Sequence, residues 1–416
     1  MNGKQRARLE DFVGRGDKSL PPAFIGREEI LSDIALAAHN VWTGSGTSPG
    51  TRGDAGTTRI IQGAPGAGKS SILGEALKRS LRGAPARVVV VESSLLEENV
   101  SFVIDLLLEA GRADPSRWKT LARKTWSDAS RNFGAVSIAG FGVGLKERGI
   151  SGMGALAREH PPGQWIQPVI LGIDEAQNLP RDPNAPHGLM FRSLHGGAAG
   201  LPITLVLAGL GNTGAVASDM GLTRGRTDHN IGAMSEDEAQ RCITLGLAHF
   251  GIDTSGYTER LVDISGPCEG WPHHLHHLLK AVGTAVLKTD GDLGRMDWVA
   301  TERRAAELRR GYYRQQRSSE MRDAVNLTAA VMTHLDRECR QHDIKTLLRT
   351  LHKRDPIQYP YPRDWDADGF FMHLVHKGAL HEQEEDRFVC PIPSFRTYLI
   401  ERGTPSPGPG TVPERS

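Results

Sequence analysis

Apolar residues cluster in short continuous runs through the first half of the chain. Thr58-Arg59-Ile60-Ile61-Gln62 is one, and Ala86-Arg87-Val88-Val89-Val90-Val91-Glu92-Ser93 is a second. Pro168-Val169-Ile170-Leu171-Gly172-Ile173-Asp174-Glu175 and Ile203-Thr204-Leu205-Val206-Leu207-Ala208-Gly209 are a third and fourth. Runs of this kind, rich in β-branched residues, predict parallel strands covered on both faces. Between them the apolar period changes to that of a helix, as in Ile72, Leu73, Ala76, Leu77 and Leu81. Strands alternating with helices imply right-handed crossovers and a three-layer α/β fold around a parallel sheet. A short fifth strand is expected at 229–234.

After residue 234 the alternation stops and helical patterns take over. Ser235-Glu236-Asp237-Glu238 is a capping box, followed by an apolar stripe of Ala239, Cys242, Ile243, Leu247 and Phe250. A second helix is expected at 257–264, and a third starts at Pro272 with Leu275, Leu278, Leu279 and Val282 on its core face. Residues 235–295 therefore read as a helical lid on an α/β core spanning 23–234. An Arg-rich linker helix is expected over 296–322, containing Tyr312 and Tyr313. Helices at 324–335, 344–351 and 366–377, then strands at 380–383 and 387–392, make 323–402 a winged-helix-like domain. Residues 1–22 read as a flexible arm and 403–416 as a disordered tail. Inside the core, about 94–167 is too long for a plain connection. It reads as an insertion with helices at 100–111 and 117–130 and a Gly-broken hairpin at 135–145, serving a partner or oligomer contacts.

Composition narrows the class without choosing a function. The 416 residues are 38% hydrophobic and 24% charged, ordinary for a globular chain. Lys and Arg number 50 against 49 Asp and Glu, so no global charge draws the chain to nucleic acid or a membrane. Cys242, Cys268, Cys339 and Cys390 lie far apart, which suits reduced thiols better than a zinc site or disulfide framework. No secretory h-region follows the N-terminus, and no apolar run approaches the roughly 20 residues a membrane helix needs. A cytoplasmic location and no membrane partner are the expectation.

The chemistry sits at the strand ends. Gly63-Ala64-Pro65-Gly66-Ala67-Gly68-Lys69-Ser70, followed by Ser71, fits the G-x-x-x-x-G-K-[ST] phosphate loop between a strand and a helix. Such a loop turns successive N–H groups into one concavity at a helix N-terminus. Lys69 is expected to reach the β/γ-phosphates of ATP, and Ser70 to ligate Mg²⁺. Asp174-Glu175 ends an apolar strand, so Asp174 is the expected second Mg²⁺ residue and Glu175 the group that orients and polarises the attacking water. Upstream, Ile25, Gly26 and Arg27 would wall the adenine. Past the fourth strand, Asn212 is the candidate for sensing the γ-phosphate, with Thr213 as fallback. Arg224 or Arg226 could reach a neighbouring subunit's γ-phosphate, which requires oligomerisation. His273, His274, His276 and His277 invite a metal reading, but a helix face of solvated histidines is the commoner case. A phosphate contact by His273 at the helix start is the alternative.

These motifs together resemble the AAA+ ATPases near the origin-recognition initiators and the STAND signalling ATPases, over roughly residues 23–290. Phe24-Ile25-Gly26-Arg27-Glu28 matches the "hhGRE" start of that group, and the two Walker motifs match ATPases generally. Gly270-Trp271-Pro272 resembles the "GxP" lid motif, whose Pro, here Pro272, lies against the nucleotide. The usual second Glu of "GRExE" falls on Ile30, and His273 and His274 stand where initiators carry a sensor Arg. The repeat array of large STAND receptors has no counterpart. The resemblance implies an ATP-driven switch that binds ATP or ADP, moves its lid and winged helix, and self-assembles or contacts an unidentified protein partner. A DNA-associated loader or regulator is the rival, using the winged helix and the Arg-rich helix. Acidic residues Glu382, Glu384, Glu385 and Asp386 at the wing tip argue against phosphate contact there. A small-molecule kinase is disfavoured, because Glu175 supplies a water-activating carboxylate.

Overall fold

Continuous apolar runs become a parallel sheet because each buries both faces beneath crossover helices. In a computed structural model, which describes residues 1–14, 21–44, 58–120, 164–195, 201–223, 225–335, 338–384 and 386–403, five such strands pair in parallel. They are β1 (Thr58–Gln62), β2 (Arg87–Glu92), β3 (Val169–Asp174), β4 (Ile203–Gly209) and β5 (Arg226–Asn230). Their order is β2-β3-β4-β1-β5. Every residue of β3 and β4 is buried, whereas β5 at the edge is polar and largely open. The edge strand thus lies earlier than the expected 229–234. Its apolar successor Ile231 instead donates its N–H to Gln62 O at 2.8 Å.

By packing, the chain divides into two units. One holds Arg15–Gly63 and Gly68–Ile231; the other holds Met1–Gly14, Ala64–Ala67 and Gly232–Ser416. The first is the α/β core, the fold class expected from the alternating pattern. A helix at Gly3–Gly14 (α1) precedes it in sequence, and Glu28–Gly44 (α2) and Lys69–Leu81 (α3) belong to it. After β2 come Ser93–Glu98 (α4) and Val100–Arg112 (α5), with a further helical turn at 115–120. These are the described ends of the expected insertion; the proposed hairpin at 135–145 lies outside the described residues. Arg87 anchors this region. Its guanidinium is buried, donates to Gln167 Oε1 at 3.1 Å and to Ala110 O, and lies over the Trp118 ring. Pro186–His195 (α6) and Thr213–Asp219 (α7) complete the core.

The second unit corrects two expectations. Residues 3–14 are not a loose arm but α1, whose Leu9 and Phe12 are buried. Phe12 packs on Phe250, ring centres 5.3 Å apart, and edge-on against His276. Only Leu9, Phe12 and Val13 are large apolar side chains in this polar helix, too weak a stripe to mark it as packed. The three helices expected over 235–295 are Glu236–Ala248 (α8), Thr258–Ser265 (α9) and Pro272–Lys288 (α10). Ser235 and Glu238 form the capping box reciprocally. On α10, His274, His276 and His277 are buried, not solvated. The helix is buried almost all round because α1, α8 and the following helix each cover a face of it.

Trp298–Gln316 (α11) and Ser319–Asp323 (α12) lead to the C-terminal part. There Val325–His334 (α13), Cys339–Arg340 (β6), Gln341–Arg354 (α14), Ala367–His376 (α15), His381–Glu384 (β7) and Arg387–Val389 (β8) follow in order. The strands form an antiparallel sheet, β6-β8-β7. The last expected strand stops at Val389, and Pro393–Gly403 (α16) is an additional helix. Ser394 at its start donates to Glu269 Oε2 through its backbone N–H at 3.1 Å and its Oγ at 2.7 Å, and its Oγ also pairs with Tyr313 Oη at 2.6 Å. All four cysteines are free thiols, and among the described residues no helix is long and apolar enough to cross a membrane.

Candidate active site

The site begins where β1 runs out. Gln62 lies opposite Gly209 of β4 and Asn230 of β5, so three strand ends meet at one level. The chain then turns: Gly63 N–H donates to Gly209 O at 3.2 Å, and Ala67 N–H to Ala64 O at 3.2 Å. Gly66 and Gly68 take φ of 79° and 98°, values that a side chain disfavours. Gly68 is the N-cap of α3 and supplies no side-chain cap, leaving the first-turn N–H groups for an incoming anion.

Lys69 and Ser70, the first residues of α3, face Asp174 at the end of β3. The Lys69 ammonium is buried and donates to Gly63 O at 2.9 Å. Burial lowers its pKa, opposed by the negative charges of Glu175 and Asp174. Burial likewise pushes the Asp174 carboxyl up to about 6, against the hydrogen bond from the Ser70 hydroxyl; Glu175 raises it further and Lys69 lowers it. A buried cation, a buried acid and a hydroxyl bonded to it form an unsaturated oxygen set beside an open helix N-terminus. That is the donor chemistry expected for Mg²⁺ shared with phosphate oxygens, so the residues fit ATP·Mg²⁺. Among the described residues no group of three or more His, Cys, Asp or Glu is placed to hold a metal, and the α10 histidines form none.

Glu175 stands at φ 55°, in the left-handed region, with its side chain exposed. For a non-glycine residue this conformation costs energy and is a feature typical of functional sites. Its N–H donates to Asp174 Oδ1 at 3.0 Å. Gln177 Nε2 donates to the Glu175 carboxylate, while Gln177 Oε1 accepts from Leu210 N–H at 3.0 Å. Asn212, two residues on, has its Oδ1 buried without a hydrogen-bond partner among the described residues. Thr213, the fallback sensor, is committed locally, its hydroxyl donating to Leu210 O at 2.6 Å.

Other sequence candidates fare differently. Ile25 is buried at the entry to α2, and Arg27 O accepts the first turn's Leu31 N–H. Asp33 of α2 pairs with Arg59 of β1 at 2.6 Å and His229 of β5 at 2.8 Å, fixing that helix on the sheet. Arg226 is engaged within its own core: its guanidinium pairs with Asp228 at 3.1 Å and donates to Gly214 O and Ser218 Oγ. Arg224 lies outside the described residues.

Residues 64–67, the apex of the loop, pack within the second unit. Trp271 Nε1 donates to Pro65 O at 3.1 Å, and the His273 backbone N–H to Gly66 O at 3.2 Å. A Cβ on Gly66 would come within 2.9 Å of His273, Tyr312 and Trp271. Pro272 starts α10 between the two residues that hold the apex, and the His273 ring lies 4.2 Å from that of Tyr312. Trp271, Tyr312 and Gln177 carry no role that the motifs assign. The Trp next to Pro272 was a visible signal, whereas the Tyr312 contact depends on a long-range return of the chain.

The parallel sheet in the order β2-β3-β4-β1-β5, with the phosphate loop after β1 and the Asp-Glu end on β3, is an α/β fold with a P-loop at the C-terminal edge of the sheet. No family model matches the chain, and no curated protein matches it. Among solved structures it is similar to the Walker-type ATPase of Pyrococcus abyssi, with a TM-score of 0.53 at 14% identity over 93% of this chain and 99% of that one. It is also similar to the ORC2 protein of Aeropyrum pernix in its ADPNP–ADP complexes, with a TM-score of 0.51 at 12% identity over 94% and 97% of the two chains.

Proposed function

We propose that the chain is an ATP-binding and ATP-hydrolysing molecular switch. The observation that carries this is the set Lys69, Ser70, Asp174 and Glu175, buried charges and one strained carboxylate gathered beside an uncapped helix N-terminus. The loop N–H groups and Lys69 bind the β- and γ-phosphates. Ser70 and Asp174 would hold Mg²⁺, which supplies charge neutralisation on the phosphate oxygens. Glu175 orients a water and accepts its proton as the water oxygen bonds to the γ-phosphorus. The bond to the β-bridging oxygen breaks, and its electron pair leaves with ADP. Asn212 brings an unpaired amide oxygen to the loop that follows β4, and its Nδ2 is the group offered to the γ-phosphate.

The nucleotide state reaches the rest of the chain through the loop apex, which Trp271 and His273 grip by its carbonyls. The C-terminal helices and three-stranded sheet, read as a winged helix, then present a surface for self-assembly or a protein partner. Arg224, or Arg226 once released from Asp228, is the candidate to complete a neighbour's site. Wild-type protein is expected to hydrolyse ATP and Glu175→Gln to bind ATP without turnover. Mass photometry is expected to show a larger species with ATP than with ADP or no nucleotide. One unchanged species in all three conditions removes the switch reading.

A DNA-associated ATPase is the second reading, favoured by the exposed Arg303, Arg304, Arg310 and Arg314 on α11. Arg309 does not belong to that set, because its guanidinium lies on Cys268 Sγ at 3.8 Å. Replacing Arg310 and Arg314 by Ala should lower the slope of log K against log salt by about two for two lost phosphate contacts. No binding at low salt with ATP present eliminates it.

A further inference from the structure

Gln177 touches both the hydrolytic carboxylate and the strand end leading to Asn212. It sits in the single 3-10 turn Ala176–Asn178, closed by Asn178 N–H to Glu175 O at 2.9 Å and Leu179 N–H to Ala176 O at 3.2 Å. That turn leaves the amide little freedom. Its nitrogen donates to Glu175, and its oxygen takes the N–H of Leu210, the first residue after β4. The fit is close, since a Cβ added to Gly209 would overlap both Gln177 Oε1 and Thr213 Oγ1. A carboxylate at φ 55° on an exposed position has several rotamers open to it, and Gln177 selects one. An amide is the group this link requires. A carboxylate in its place would repel Glu175, and an apolar side chain would leave Leu210 N–H without its acceptor.

We propose that Gln177 is a positioning residue that ties Glu175 to the loop 210–213, so that a ligand engaging Asn212 re-aims the carboxylate through one side chain. The proposal rests on the reading of Glu175 as the water-orienting group. It differs from that reading in assigning control of Glu175 to the β4 end and not to the strand that carries it.

The test uses full-length protein with Gln177→Glu, which is isosteric and keeps an acceptor for Leu210 N–H, and Gln177→Ala. Both are expected to lower kcat by about 10- to 100-fold, the usual cost of losing an outer partner of a reacting group. The KM for ATP and the Kd of a fluorescent ATP analogue should stay within about twofold, since phosphate binding by Lys69 and the loop is untouched. The melting temperature of Gln177→Glu should equal that of wild type, whereas a merely structural glutamine would shift melting and Kd together with kcat. An active wild type with unchanged Gln177 variants overturns this proposal and leaves the ATPase reading standing. A wild type that binds ATP and never turns it over, or fails to bind it, overturns both.

Discussion

Two helices of this molecule begin in buried polar surroundings, and they do different things with them. At the start of α3, Lys69 and Asp174 are charged groups taken out of water beside Ser70 and an uncapped helix end. At the start of α10, His274 and His277 are imidazoles taken out of water among aromatic rings, with Tyr313 edge-on to His274 at 5.4 Å. The same desolvation pushes Asp174 up to about 6 and His274 down to about 3. Each region also holds a buried atom without a partner among the described residues, Asn212 Oδ1 in one and His274 Nε2 in the other. What separates them is the neighbourhood. Asn212 follows a strand end beside charges and a strained Glu175, an arrangement that an incoming phosphate and cation would complete. His274 is enclosed by the rings of Tyr312 and Tyr313, and its neutral ring is packing. Burial of polarity therefore does not identify a site; burial of charge in an open, strained frame does.

The largest effect should come from the charged region. Lys69→Met keeps the aliphatic stem and removes the ammonium, so nucleotide affinity and turnover should fall by at least about 100-fold. Its melting temperature should move little, because burial already disfavours the Lys69 ammonium in the fold. Equilibrium binding of a fluorescent ATP analogue and a thermal melt measure both. If affinity survives, the comparison collapses, because the buried charges at α3 would then be packing as well.

The next effect belongs to the packed region. Leu9→Ala on α1 removes a fully buried side chain set against α10, where Gly283 leaves it room. It should cost about 2–5 kcal/mol of the second unit's stability. Hydrogen exchange in α10 should rise while ATP affinity stays within a few-fold. Unaltered exchange in α10 would mean that α1 is not part of that packing.

Legibility followed the same division. The phosphate loop and the Asp-Glu strand end could be read because their chemistry demands fixed residues at fixed spacing, and the parallel sheet because its strands are continuously apolar. The histidines of α10 were misread as solvated. His276 is covered by Phe12 of α1, more than 250 positions away in the chain, and His274 and His277 by Tyr312 of α11, and no local period reveals a cover supplied from another element. Gln177 was visible only as part of a motif, since its role comes from Leu210 N–H at the end of a different strand. Arg226 looked like a free cation for the same reason: Asp228 follows it closely, but Ser218 and Gly214 reach it only through the packing of α7.

The smallest effect is the sharpest test of the packing half. His274 has an ordinary pKa of 6.5 in the unfolded chain and about 3 in the fold, lowered first by burial and then by Arg309, His273 and His277. Cys268 O at 3.3 Å opposes the shift, and Tyr312 and Tyr313 face the ring from α11. The unfolded state thus binds the extra proton, so His274 contributes fully above pH 6.5 and its contribution is lost as pH falls toward 3. The loss should be on the order of 2 kcal/mol between pH 6.5 and 5. His274→Leu replaces the ring by an apolar side chain of similar bulk and removes both the titration and the unpaired Nε2. At pH 7.5 it should change stability by less than about 1 kcal/mol, because an unpaired buried nitrogen and one modest hydrogen bond leave together. Melting temperatures of wild type and His274→Leu measured from pH 7.5 to 5 should therefore start close and diverge, the variant falling less steeply. ATP hydrolysis at pH 7.5 should be unaltered. Loss of hydrolysis in a variant that still melts like wild type would make the α10 cluster part of the nucleotide machinery, and the two buried regions would no longer differ in kind.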